Sequence, residues 1–205
     1  PDDVVLDFGG MLTWTSTHGV LVNMDDTTVA DLTIRNADEH GVSVNGVDRV
    51  LLYGLHIVDT GYQLVKVNPI GDGSDDGVLA CSLLEYTDTA PTYYTNGISA
   101  HLAHRWTVRD NTFRRIRGDP VEYVPAILFW SGSTDTVVER NRLHNCSGGI
   151  AFGNTSHADT DHHGGVVRNN YVYRDLWGDV GIEMTHAEGF LVAYNTVLLV
   201  GPSSE

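Results

Sequence analysis

Six-residue segments that read apolar, two polar or variable residues, Asn, any residue, apolar recur through the second half of this 205-residue chain. They are Val108-Arg109-Asp110-Asn111-Thr112-Phe113, Val138-Glu139-Arg140-Asn141-Arg142-Leu143, Val167-Arg168-Asn169-Asn170-Tyr171-Val172 and Val192-Ala193-Tyr194-Asn195-Thr196-Val197. Looser copies precede them: 78–83 carries Cys81 in the Asn place, 50–55 carries Tyr53 and 29–34 carries Leu32. The key positions are thus separated by 21, 28, 30, 30, 29 and 25 residues. Between the copies runs a second pattern, in which Gly or another residue precedes apolar, any, apolar. Its instances are Gly41-Val42-Ser43-Val44, Leu64-Val65-Lys66-Val67, Gly97-Ile98-Ser99-Ala100, Ala126-Ile127-Leu128-Phe129, Gly149-Ile150-Ala151-Phe152 and Gly181-Ile182-Glu183-Met184, with Gly19-Val20-Leu21-Val22 ahead of them. The period-two alternation predicts short strands with every second side chain turned inward.

A period in the twenties, built from short strands and Gly or Asn corners, describes one coil of a solenoid. No coil buries its apolar face alone, so neighbours stack. Asn at a bend tolerates left-handed backbone geometry, and its amide is placed to bond the next coil. A leucine-rich repeat would need repeated Leu positions and a helix per unit, and a propeller a longer period. The predicted fold is all-β, a single-stranded right-handed parallel β-helix of about seven coils. At about 4.8 Å per coil the rod is roughly 30–35 Å long. One domain spans residues 1–205, with no charged N-terminal cap evident, so trimmed caps, a continuing chain or end-to-end stacking are the alternatives for its open ends. The pattern resembles the right-handed parallel β-helix repeat family, which includes pectate lyases, polygalacturonases and alginate-type lyases. The resemblance runs from about Val29 to Val200 and implies the fold far more strongly than an activity, because this fold hosts many functions.

Charge narrows the partners. The net charge is −15, and Lys66 is the only lysine beside eleven arginines. No basic stripe exists to neutralise nucleic-acid phosphates. Anionic membranes and polyanionic glycans are repelled unless a metal ion bridges. No apolar run reaches the length of a membrane span, and the chain opens at Pro1-Asp2-Asp3 with no signal peptide visible. Cys81 and Cys146 are placed about two rungs, some 10 Å, apart, beyond disulfide reach, so two free thiols serving as buried fillers are expected.

Candidate chemistry gathers where the coils swell, at 84–96 and 114–125 before the Gly-apolar strand and at 68–77 and 153–165 after it. Insertions on one side of a solenoid mark a binding face, so the outer face of that strand is the expected floor of a groove. Lys66, His101 and Trp130 fall there on consecutive rungs. Tyr93 and Tyr94 belong to one overhanging loop, and Arg115, Arg117, Asp119, Glu122 and Tyr123 to the next. Aromatic rings match the apolar face of a sugar, and arginine pairs with a uronate carboxylate. Lys66, His101 and Arg115 are the candidate base, acid and charge neutraliser of a lyase, and Asp119 and Glu122 the candidate carboxylates of a hydrolase. Tyr93, Tyr94, Arg117, Tyr123, Trp130, Glu183 and His186 are the candidate substrate contacts. His157, Asp159, Asp161, His162 and His163 have ligand types for a divalent metal, calcium or a transition metal. The segment 72–77 is an acidic turn without the spacing of a calcium loop. Two function classes stand: a secreted polysaccharide lyase or glycoside hydrolase, extracellular or periplasmic, acting on a polysaccharide or oligosaccharide, or a non-catalytic glycan-binding or structural rod of a larger surface protein, self-associating through its coil ends.

Overall fold

The computed structural model describes residues 4–10, 16–88, 94–117, 124–154, 160–175 and 180–200. These residues form strands and turns with no helix, arranged in three parallel sheets. The Gly-apolar motifs make the first sheet: Val20–Val22, Val42–Asn45, Val65–Asn68, Ile98–His101, Pro125–Trp130, Gly148–Phe152 and Ile182–Met184. The chain passes next to the second sheet, which runs from Thr28–Ala30 to Ala187–Ala193, and then to the third, from Val5–Asp7 to Thr196–Leu199, before returning one rung further on. Among the described residues the first sheet has seven rungs, hence six full turns between its ends.

Each strand turns its alternate apolar residues into the coil. Val42, Val44, Val65, Val67, Ile98, Ile127, Phe129, Ile150 and Phe152 line the interior from the first sheet, and all are fully buried. Leu52, Leu79, Val108, Val138 and Val167 enter from the second sheet, and Ile34, Ile57, Leu84, Phe113 and Leu143 from the third. Two predicted loops hold extra strand. Ser74–Asp75 and Ala103–His104 extend the second sheet, and His162–Arg168 begins inside the His-rich segment.

The corner between the second and third sheets departs from expectation in two ways. Left-handed φ falls on the residue before the ladder position, not on the Asn itself: Asp31, Cys81, Asp110, Arg140, Asn169 and Tyr194 have φ between 53° and 58°. Strand pairing also moves the early copies. Leu55, Ser82 and Asn111 are equivalent, because Leu83 N–H bonds Leu55 C=O and Thr112 N–H bonds Ser82 C=O. The column is therefore Leu32, Leu55, Ser82, Asn111, Asn141, Asn170 and Asn195, with Tyr53 and Cys81 outside it. Within it each Asn amide donates to the next: Asn111 to Asn141 at 3.1 Å, Asn141 to Asn170 at 3.0 Å and Asn170 to Asn195 at 2.9 Å. Both cysteines are free thiols. Cys146 is buried, but Cys81 is exposed because its left-handed corner turns the side chain out of the coil.

Candidate functional site

The outer face of the first sheet is set by strand register. Ser43, Lys66, Ser99, Leu128, Ala151 and Glu183 form one outward row. Asn45 and Asn68 pair in the next row, as His101 and Trp130 do further along it. The first row is not open: Ser43, Lys66 and Ser99 point away from the core yet are buried, Lys66 with 4% of its surface exposed.

A lysine in that position must find polar company. Its Nζ lies 2.7 Å from His101 Nε2 and 3.5 Å from both Ser99 Oγ and the Tyr94 hydroxyl. The ammonium also sits 5.8 Å from the centre of the Tyr94 ring. Burial disfavours the charged form and brings the Lys66 pKa down to about 8. His101 in turn meets the Trp130 ring edge-on, centres 4.4 Å apart. An amide row continues the floor on the other side: Asn68 donates to Ser43 Oγ at 2.9 Å and to Asn45 at 2.8 Å, and Asn45 donates to Asn23 at 2.8 Å. Half-exposed Tyr94 packs against Tyr62, ring centres 5.8 Å apart, giving the buried amine a wall that is partly open to solvent.

The other expected members are distributed differently. Arg115 does not join Lys66. It follows the third sheet and lines a separate cleft of about 500 Å³ with Thr112, Arg114, Arg142, His144 and Tyr171. Its guanidinium donates to the Thr87 carbonyl at 2.6 Å, and its left-handed backbone, φ 54°, swings it to that side. Arg117 is half-buried at the following corner. Glu183 lies four rungs from Lys66, about 19 Å, and accepts a hydrogen bond from Thr185 at 2.6 Å. His186 is exposed beyond it. Tyr93, Asp119, Glu122, Tyr123, His157 and Asp159 lie outside the described residues.

The described part of the His-rich segment is not a ligand cluster, because strand alternation separates its histidines. His162 turns inward between Phe152 and Phe190, 5.0 Å from each ring, with Nε2 2.9 Å from Thr136 Oγ1. His163 turns outward to Glu188 at 3.0 Å, and Asp161 is buried ahead of them. Burial holds His162 neutral, with its pKa lowered to about 4. The unfolded chain then binds the extra proton, so this residue stabilises the fold above its ordinary pKa of 6.5, and that contribution is lost as pH falls from there towards 4. The loss is of order 3 kcal/mol. Thermal melts of wild type and His162→Gln between pH 7 and 4 check this, the wild type being expected to lose stability more steeply.

Sequence reading missed His18, Glu39, His40 and Tyr62, which flank this floor on the corner preceding the first sheet. Their rings form a file with Tyr94: His18 to His40 at 5.2 Å, His40 to Tyr62 at 6.0 Å and Tyr62 to Tyr94 at 5.8 Å. The available signal was the tripeptide His-Gly-Val, which occurs at 18–20 and again 22 residues later.

A family model described as right handed beta helix region matches residues 14–198. Among solved structures, a surface adhesin of Streptococcus pneumoniae aligns with a TM-score of 0.70 at 14% identity, over 91% of this chain and 51% of its own. An alginate lyase from Paenibacillus sp. str. FPU-7 aligns with a TM-score of 0.55 at 14% identity, over 93% of this chain and 78% of its own. The chain therefore spans about half the length of the adhesin. At such identities the likeness is one of fold. No curated protein matches the sequence. Among the described residues no helix is long and apolar enough to cross a membrane.

Proposed function

The chain belongs to the right-handed β-helix family, and from that premise we propose that it is a secreted, carbohydrate-active protein that cleaves a uronate polysaccharide by β-elimination on the outer face of its first sheet, with a bridging divalent metal offsetting the repulsion between the uronates and a chain of net charge −15. The observation that carries this reading is the Lys66 cluster. The only lysine of an acidic chain is buried on the outer face of the first sheet, with His101 at 2.7 Å and the Tyr94 hydroxyl at 3.5 Å. A pKa near 8 leaves part of its population as a neutral amine at neutral pH.

The amine takes the proton from the carbon α to the uronate carboxylate. The electron pair left behind forms the new C=C bond, and the glycosidic C–O bond breaks. Tyr94 and His101 stand beside Nζ as donors to the departing oxygen, and His101 Nε2 is the nearest acceptor through which Lys66 sheds its proton. Asn68 holds Asn45 in place, and the Asn45 amide, which donates one N–H to Asn23, has its second to offer to the carboxylate on which negative charge develops. Trp130 supplies a flat surface for a neighbouring sugar ring. Hydrolysis needs two carboxylates about 5–9.5 Å apart; Glu183 stands too far from the Lys66 cluster to share a site with it, and the candidate pair Asp119 and Glu122 lies outside the described residues, so the elimination reading rests on Lys66. The alginate lyase and the surface adhesin share this fold, which is compatible with elimination and with binding alike.

The test is turnover of a panel of neutral and uronate polysaccharides, following both new reducing ends and the ultraviolet absorbance of the new double bond. Both signals on a uronate glycan are expected. Reducing ends without absorbance would replace elimination by hydrolysis. Silence on every substrate would leave a glycan-binding or structural β-helix.

A further inference from the structure

The corner ahead of the first sheet holds a group that the elimination chemistry does not use. His18 and His40 each stand directly before the glycine of a Gly-apolar strand, in successive coils, and Gly19 N–H bonds the His40 carbonyl. Their imidazoles consequently stack, with centres 5.2 Å apart and planes inclined by 23°. Glu39 brings its carboxylate to 3.3 Å from His18 Nε2. One ligand atom from each of the three side chains lies within 4.8 Å of the other two. The His40 side chain is buried, 8% exposed, and the Nδ1 atoms of both histidines are buried without a hydrogen-bond partner.

We propose that His18, Glu39 and His40 form a binding site for one divalent transition metal of the zinc class. Two imidazoles and one carboxylate are a ligand set that zinc accepts, leaving a fourth position for water. With metal–ligand bonds of about 2.0–2.1 Å, ligands of a tetrahedral ion stand roughly 3.3 Å apart. His18 and Glu39 already have that separation, and the His40 nitrogen closes in by on the order of 1 Å to complete it. Calcium is disfavoured because it seeks six to eight oxygen ligands, whereas this group offers one carboxylate. The backbone carbonyl of Gln63 lies against the His40 ring, the kind of neighbour that orients a metal-binding histidine. An orphaned buried nitrogen normally costs stability, and a cation bound at His40 Nδ1 gives that atom a partner. The site stands whether or not Lys66 acts as a base.

Tag-free protein, dialysed against chelator, is titrated with cobalt(II) while its visible d–d absorption is followed, and zinc(II) is then added as competitor. One equivalent of cobalt with the intense spectrum of a tetrahedral ion, displaced by zinc, is expected. His18→Ala and Glu39→Gln, both at half-exposed positions and checked for folding by circular dichroism, are expected to weaken binding at least about tenfold. His163→Ala is expected to leave it unchanged. A protein that gives no saturable cobalt spectrum, or whose affinity is unaltered in His18→Ala and Glu39→Gln, would overturn the assignment. So would loss of binding in His163→Ala alone.

Discussion

Replacing Lys66 by methionine is expected to lower turnover of a uronate glycan by about 10²- to 10⁴-fold, the usual contribution of a positioned base. Methionine keeps an unbranched stem of similar length in the same buried slot, so the fold should persist. The pH dependence carries the sharper information. Elimination needs the neutral amine, so kcat/KM of the wild type is expected to rise with pH and level off above about 8, where burial has placed the Lys66 pKa. Lys66→Arg keeps a cation at the same place but stays protonated throughout, so its residual activity should lack that rise. A full rate in Lys66→Met, or a pH profile that Lys66→Arg shares with wild type, would remove Lys66 from the chemistry even if the protein proves to be a lyase.

The largest effect on stability is expected from Asn141→Leu. The Asn141 carbonyl oxygen accepts from the Asn111 backbone N–H at 3.1 Å and from the Asn111 amide at 3.1 Å. Its own amide donates to Val108 C=O at 2.9 Å and to Asn170 at 3.0 Å. Leucine fills the space but strands the Asn111 N–H and the Val108 C=O inside the coil, and each buried orphan costs about 1–3 kcal/mol. The sum, roughly 2–6 kcal/mol, is a large share of the stability of a chain this size. One coil earlier in the same column a hydroxyl does the accepting, since Ser82 Oγ takes the Leu55 N–H at 3.0 Å and Ser82 N–H in turn bonds Asn111 at 2.9 Å. Denaturant unfolding followed by circular dichroism measures the difference. A midpoint unchanged from wild type would mean that the amide ladder does not hold these coils together.

The contrast between Leu55 and Asn141 also explains what was legible in the sequence. Every first-sheet strand could be placed from residues alone, since the run apolar, any, apolar, most often after Gly, fixes which side chain faces inward. The ladder column slid by one residue at 78–83 because the tandem pair Val78-Leu79 lets the frame start at either member, and by two at 50–55 because Val50 and Leu52 both turn inward and either can open the motif. Only pairing across the sheet resolves that choice. Lys66, His101 and Trp130 were placed on one face by the same strand logic, and they meet there. Arg115 was misplaced because a left-handed corner, not a strand, decides its direction. His162 and His163 looked like companions in a loop, whereas as neighbours in a strand they point to opposite faces. His18 and His40 went unread because a coil-length spacing between two histidines carries meaning only once the coil length at that point is known.

The parallel pairing has a mechanical consequence. Backbone hydrogen bonds in all three sheets join one coil to the next, so they lie along the axis of the rod and tension between its ends loads the rungs in series. The end coil is then the weakest point, since its neighbours hold it from one side only. Such a rod yields by peeling, not by shearing a whole sheet at once. Each released coil, 23 to 30 residues by the ladder column, pays out on the order of 80–100 Å of extended chain. Stretched in flow or between two surfaces, a protein built this way lengthens in steps and keeps its remaining coils intact.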